Sequence, residues 1–169
     1  GVGGSRKQVA VFFSDIRGFT KFSEKRTPEE VVSMLNEYFS VMVGVIYRNH
    51  GIVDKFIGDA IMAVWGAPKS TGDDSYFAVK ACIEMRQALE TLNKARIARG
   101  EEPLMIGMGL HAGEAISGTI GSEDRMEYTV IGDTVNMTSR IESATKAFGT
   151  DLLISQALAS SVEKHFILE

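Results

Sequence analysis

The 169 residues, 44% of them hydrophobic, suffice for one well-buried domain, and a formal net charge of −4 shows no excess of basic residues of the kind that binds nucleic acid. No apolar run approaches the roughly 20 residues of a membrane span, so no membrane contact is expected, and nothing near the start reads as a signal peptide. The single cysteine, Cys82, cannot form an internal disulfide, which points to a reducing, cytoplasmic setting.

Gly1-Val2-Gly3-Gly4-Ser5 is small and flexible, so residues 1–7 are expected to be a linker and the folded domain to cover 8–169. Residues 8–14 are continuously apolar at their centre, as a strand buried on both faces would be, and Asp15 closes them. Ile16-Arg17-Gly18-Phe19-Thr20 follows as a short, tight segment. Thr27-Pro28-Glu29-Glu30 is a helix start, with Thr27 as N-cap, Pro28 at the first helical position and Glu30 completing a capping box. The helix it opens should end near Asn49-His50-Gly51, where Gly51 is expected to supply the left-handed residue.

Residues 52–57 and 60–65 read as a hairpin with Gly58-Asp59 at its tip. Asp73 or Asp74 can cap a second long helix that ends before Gly100 and turns Ala78, Ala81, Cys82, Met85, Leu89 and Leu92 inward. Residues 105–115 and 115–121 are expected as two strands joined through a Gly113-Glu114 turn. A polar arm, 122–127, leads to a strand at 128–131. A third helix over 132–149, a short strand at 151–155 and a last helix at 156–165 complete the chain. The order βαββαβ with additions predicts an α+β domain: a ferredoxin-like core with helices on one face of a mainly antiparallel sheet.

Two aspartates stand out. A carboxylate at the end of a buried strand is costly unless a cation or a donor compensates it. Asp15 and Asp59, brought together by neighbouring strands, would make a hard oxygen site for Mg²⁺ or Mn²⁺. Paired metal ions on carboxylates serve in-line phosphoryl or nucleotidyl transfer, a reading compatible with polymerases, nucleases and phosphatases alike. The tight segment after Asp15 can turn several backbone N–H groups toward one anion. Asn136 and Arg140 lie four residues apart on one helix face, which is most often simply solvated but could bind phosphate and sugar oxygens. Lys55 and Thr129 on strands are individually unremarkable, and His111 reads as structural.

Together, Phe13-Ser14-Asp15-Ile16-Arg17-Gly18-Phe19-Thr20, Lys55-Phe56-Ile57-Gly58-Asp59, Gly107-Met108-Gly109-Leu110-His111-Ala112-Gly113-Glu114 and the run from Tyr128-Thr129-Val130-Ile131-Gly132-Asp133 to Asn136 and Arg140 resemble the class III nucleotidyl cyclases. The resemblance spans nearly the whole chain, and it implies a fold akin to the polymerase palm and conversion of ATP or GTP to the 3′,5′-cyclic nucleotide and pyrophosphate. It implies two divalent cations per site, held by Asp15, Asp59 and the Ile16 main chain. It assigns Ile16, Arg17, Gly18, Phe19 and Thr20 to the triphosphate-binding turn, Asn136 to the ribose, and Arg140 to the pentavalent transition state. Lys55 and Thr129 match the base-reading positions, in the subgroup that carries Thr here and includes bicarbonate-responsive enzymes.

A lysine ammonium only donates, so Lys55 suits adenine N1 and confronts guanine N1–H with a like donor. A threonine hydroxyl can accept from adenine N6 or donate to guanine O6, which leaves Thr129 permissive. ATP is therefore the expected substrate, with a guanylate or dual-specificity cyclase, or a catalytically silent dimerisation or sensing domain, as alternatives.

The resemblance further implies that one copy of the domain supplies the metal aspartates and another supplies lysine, threonine, asparagine and arginine. This chain carries both sets, so a symmetric homodimer would hold two equivalent sites. The chain stops at Glu169, ahead of the strand pair that commonly follows in the family and bears a triphosphate-contacting lysine; Lys164 comes too early to match it. Arg125 is the alternative phosphate contact, and an upstream regulatory domain is expected.

Overall fold

The computed structural model describes residues 3–169. Its elements run β1 (Gly4–Ile16), α1 (Phe19–Glu24), α2 (Pro28–Arg48), β2 (Ile52–Ile57), β3 (Ala60–Trp65), α3 (Asp74–Ala98), β4 (Ile106–Ser122), β5 (Arg125–Ile131), α4 (Asp133–Phe148), β6 (Leu152–Ile154) and α5 (Gln156–Val162). The sheet order is β2-β3-β1-β4-β5, antiparallel throughout, with β6 added parallel to β4. The expected α+β architecture and βαββαβ core are present.

β1 alternates between two cores, as a strand covered on both faces must. Ala10 and Phe12 join α2, α3 and α5 in the larger core, with Tyr38, Met42, Ile46, Met85 and Leu158. Val9, Val11 and Phe13 join a smaller cluster with Met62, Val64, Ala115 and Val130. The capping box forms as expected: Glu30 N–H donates to Thr27 Oγ1 at 3.2 Å and Thr27 N–H to Glu30 Oε1 at 3.1 Å.

Four expectations need correction. Gly1 and Val2 of the expected linker lie outside the described residues, but β1 begins at Gly4, because Gly4 to Lys7 pair with β4 from Gly118 back to Ala115. β4 is one strand of 17 residues with no turn at Gly113-Glu114. Its glycines serve close packing instead. A Cβ would stand 2.6 Å from Thr145 Oγ1 at Gly107, 2.5 Å from the Glu142 nitrogen at Gly109, and 2.6 Å from Thr134 Oγ1 at Gly113.

These three alternate positions form a smooth track on which α4 lies, so α4 occupies the face opposite α2, α3 and α5 rather than sharing one face with them. Finally, His50, with φ 68°, takes the left-handed position after α2. Gly51 is needed for space, since a Cβ there would stand 2.5 Å from the Trp65 ring.

The sheet curls enough for its two end strands to meet over the smaller core. β2 carries an irregularity between Val53 and Lys55, so Asp54 is an extra residue in the ladder. Such a bulge bends the strand and re-aims a side chain. Here it sends Asp54 across to β5, where Thr129 and Val130 donate to its carboxylate.

Candidate functional site

β1 and β3 are neighbours, with Ser14 opposite Ile61, so the β2–β3 turn delivers Asp59 beside the end of β1. Gly58, at φ 59°, makes that turn possible. Asp59 Oδ2 accepts the Ile16 N–H at 2.8 Å. Asp15 Oδ1 is buried with no hydrogen-bond partner. A carboxylate oxygen in that position calls for a cation, and the donors at hand (two carboxylates and the Ile16 carbonyl) are the hard oxygens that Mg²⁺ and Mn²⁺ prefer. The residues thus fit the expected ions. Among the described residues no group of three or more His, Cys, Asp or Glu side chains forms a metal site, so such ions would depend on main-chain and substrate oxygens as well.

A third carboxyl group backs this pair. Glu142, 6% exposed, projects from α4 toward Asp15. Burial first, and then the neighbouring Asp15 charge, push its pKa up to about 8. Glu142 Oε2 and Arg17 Nη1 are both buried without partners, and both border Gly107, at 2.9 and 2.8 Å from where its Cβ would be. No role for Glu142 was read from the sequence. Its only signal there is its place four residues after Thr138, on the stripe that α4 buries.

The turn after Asp15 divides its labour. Gly18, at φ 66°, is the N-cap of α1, and the first intrahelical bond runs from Phe22 N–H to Gly18 O. The N–H groups of Gly18, Phe19 and Thr20 therefore precede the helical ladder, as an anion-binding turn requires. Arg17 is placed differently. Its N–H donates to Met105 O at 2.7 Å. Its guanidinium faces inward and donates from Nη2 to Thr145 Oγ1 and Thr150 O, both at 3.0 Å. Its N–H and Nη2 are thus engaged by the protein itself, while Nη1 is buried without a partner.

Lys55 and Thr129, 74 residues apart in sequence, meet at Asp54. Thr129 Oγ1 donates to Asp54 Oδ1 at 2.8 Å and lies 3.1 Å from Oδ2; Val130 N–H donates to Oδ2 at 3.0 Å. Lys55 Nζ lies 3.6 Å from Oδ1, with its side chain 40% exposed while that of Asp54 is 2% exposed. A buried aspartate tying together two base-reading candidates is a second residue the sequence did not single out. Nothing in the strand pattern marks it, because its direction depends on the bulge.

Asn136 and Arg140 are exposed on α4, whose buried stripe is Thr134, Thr138, Glu142 and Thr145. At about 100° per residue both lie on the opposite side of the helix from that stripe, turned away from the sheet that carries Asp15. Arg125 sits at the end of the β4–β5 ribbon, paired with Glu127 at 2.9 Å and with its side chain 82% exposed. His111, read as structural, shares a 2.7 Å hydrogen bond with Ser155 Oγ, the residue that caps α5.

Residues 3–166 match the family model described as the adenylate and guanylate cyclase catalytic domain. The chain is 38% identical over 155 residues to adenylate cyclase 1 of Rhizobium meliloti (strain 1021), covering 92% of this chain but only 23% of that protein. Among solved structures, the adenylyl cyclase CyaB from P. aeruginosa superposes with a TM-score of 0.91 at 37% identity, covering 98% of this chain and 85% of that one. The guanylyl cyclase Cya2 superposes with a TM-score of 0.87 at 42% identity, covering 95% and 80%.

Proposed function

Because the chain belongs to the adenylate and guanylate cyclase catalytic domain family, we propose that it converts ATP to 3′,5′-cyclic AMP and pyrophosphate at sites shared between two copies of itself. The ribose 3′-oxygen bonds to the α-phosphorus as the bond to the pyrophosphate oxygen breaks, and the 3′-hydroxyl proton passes to solvent. Two divalent cations, Mg²⁺ or Mn²⁺, would supply the charge that favours the 3′-alkoxide and the departing pyrophosphate.

Asp15, Asp59 and the Ile16 carbonyl would hold those ions. The N–H groups of Gly18, Phe19 and Thr20 bind the β- and γ-phosphates, and Arg17 braces the turn from beneath. Asn136 orients the ribose and Arg140 stabilises charge on the pentavalent phosphorus, both supplied to the site by the second copy. The outward face of α4 supports that division, since within one chain these two side chains are turned away from the aspartates. Exposed apolar residues on the same elements, Phe56, Ile57, Ile131 and Met137, suit a face that a second copy covers.

The observation that carries the choice of ATP is the convergence of Lys55 and Thr129 on Asp54. It sets a pure donor beside a hydroxyl, the pair that adenine N1 and N6 need. GTP is the second reading, favoured by the 42% identity to a guanylyl cyclase. Purified chain incubated with ATP or GTP and Mn²⁺ should form cyclic AMP in preference to cyclic GMP. A preference for GTP would overturn the argument from Lys55, and no product from either would favour a silent, dimerising domain.

The chain spans 23% of the Rhizobium protein's length. An upstream regulatory domain in the parent protein and a cytoplasmic setting belong to the same proposed reading. Among the described residues no helix is long and apolar enough to cross a membrane.

A further inference from the structure

Thr129, read alone, is permissive, because a hydroxyl can donate or accept. Its surroundings remove that freedom. Its Oγ1 hydrogen is directed at Asp54, 2.8 Å from Oδ1 and 3.1 Å from Oδ2. The carboxylate is buried, with a side-chain exposure of 2%, and its Oδ2 already accepts the Val130 N–H at 3.0 Å. Lys55 Nζ stands 3.6 Å from Oδ1. Every group around Asp54 is a donor, and a carboxylate accepts only, so the Thr129 hydrogen has one place to go. What Thr129 can offer a base is a lone pair.

We propose that Asp54 is a specificity-determining positioning residue: it fixes Thr129 as an acceptor and thereby makes the base pocket select adenine over guanine. This rests on the reading of the chain as a cyclase whose Lys55 and Thr129 face the base. Adenine presents the N6 amino donor where guanine presents the O6 acceptor. A lone pair on Thr129 Oγ1 meets the first favourably and the second with a like acceptor, while Lys55 opposes guanine at N1. Selection thus comes from a residue that need not touch the nucleotide. The bulge at Asp54 is what brings this about, because it aims the carboxylate across the curled sheet to β5.

Asp54→Asn inverts the polarity. The Val130 N–H requires an acceptor, so the Asn oxygen takes the Oδ2 position and its amide NH₂ takes the Oδ1 position. That NH₂ donates to Thr129 Oγ1, and the freed hydroxyl hydrogen can then be donated to guanine O6. The test compares the binding of 3′-deoxy-ATP and 3′-deoxy-GTP, which cannot cyclise, in the presence of Mn²⁺, and in parallel the turnover of ATP and GTP. The adenine-to-guanine ratio should fall roughly tenfold in Asp54→Asn. Thr129→Ser should keep it and Thr129→Val should lower it. Adding Asp54→Asn to Thr129→Val should change it no further.

A merely structural role would weaken both nucleotides alike. An unchanged ratio in folded Asp54→Asn overturns the proposal, as does an equal fall in the Thr129→Val background. Asp54→Ser, which also frees the hydroxyl, is the second variant. If neither folds by circular dichroism, Asp54 is a structural strut and the proposal fails. Wild-type chain that binds the adenine analogue selectively but turns over neither nucleotide refutes the cyclase reading and leaves the role of Asp54 supported. Wild-type preference for guanine refutes both.

Discussion

Asp59 Oδ2 accepts the Ile16 backbone N–H at 2.8 Å, so the β2–β3 turn is fastened to the peptide that follows Asp15. The two carboxylates are thereby held at one place but not equally satisfied: Asp59 has a donor, whereas Asp15 Oδ1 is buried with none.

Their variants should accordingly differ in stability while agreeing in activity. Asp15→Asn removes an uncompensated charge and should leave the metal-free fold at least as stable as wild type. Asp59→Ala strands the Ile16 N–H and should cost about 1–2 kcal/mol in urea unfolding. Each should lower cyclic AMP formation by at least roughly a hundredfold, since each removes a carboxylate proposed to hold a metal ion. An Asp15→Asn chain with near-normal turnover would argue against the metal site.

Glu142 gives the metal-free protein a pH signature. Its folded pKa, about 8, lies well above the ordinary glutamate range. The folded state therefore holds a proton that the unfolded state releases. Its contribution is fully present below about pH 4.5, declines as pH rises, and is gone once pH passes about 8. Thermal unfolding of metal-free wild type should show stability falling across that window. Glu142→Gln should flatten the fall and exceed wild type at pH 9; parallel wild-type and variant curves would contradict it.

Mixing should rescue two dead chains. Asp15→Ala lacks the metal side of a site, and Arg140→Ala lacks the side that α4 presents outward. A mixed dimer rebuilds one whole site, so co-refolded chains should regain up to about a quarter of wild-type activity, given random pairing and one intact site in half of the dimers. Absence of rescue, with dimers confirmed by light scattering, would overturn the shared site.

The glycine track under α4 should tolerate no side chain. In Gly109→Ala the new Cβ would stand 2.5 Å from the Glu142 backbone nitrogen, so the helix as a whole must move. A loss of about 1–3 kcal/mol in chemical denaturation is expected, along with weakened activity, because α4 carries both Glu142 and Arg140. Gly100→Ala, where a Cβ meets nothing within 4 Å but φ is 80°, separates strain of the backbone from loss of packing.

Local chemistry made much of this legible in advance. The capping box at Thr27 and Glu30, the Gly58-Asp59 turn and the apolar run of β1 each depend on residues close in sequence, and each is where the sequence placed it. The errors share a cause. Gly113 resembles a turn residue and Gly51 a helix terminator, but both are glycine because something distant in sequence (Thr134 and the Trp65 ring) needs the room. The direction of Arg17 was equally hidden, because the partners that turn its guanidinium inward, Thr145 and Thr150, lie far along the chain.

The sequence by itself determined the βαββαβ core, the family and the candidate residues at the aspartates, Lys55, Thr129, Asn136 and Arg140, because residue type and spacing carry that information. Only the tertiary structure decided what those residues can do. A bulge turned Asp54 toward Thr129, whose hydroxyl donates to it, and α4 set Glu142 against Asp15 while pointing Arg140 the other way. The direction of a hydrogen bond and the face of a helix depend on partners distant in sequence, which become neighbours only when the sheet curls and the helix docks.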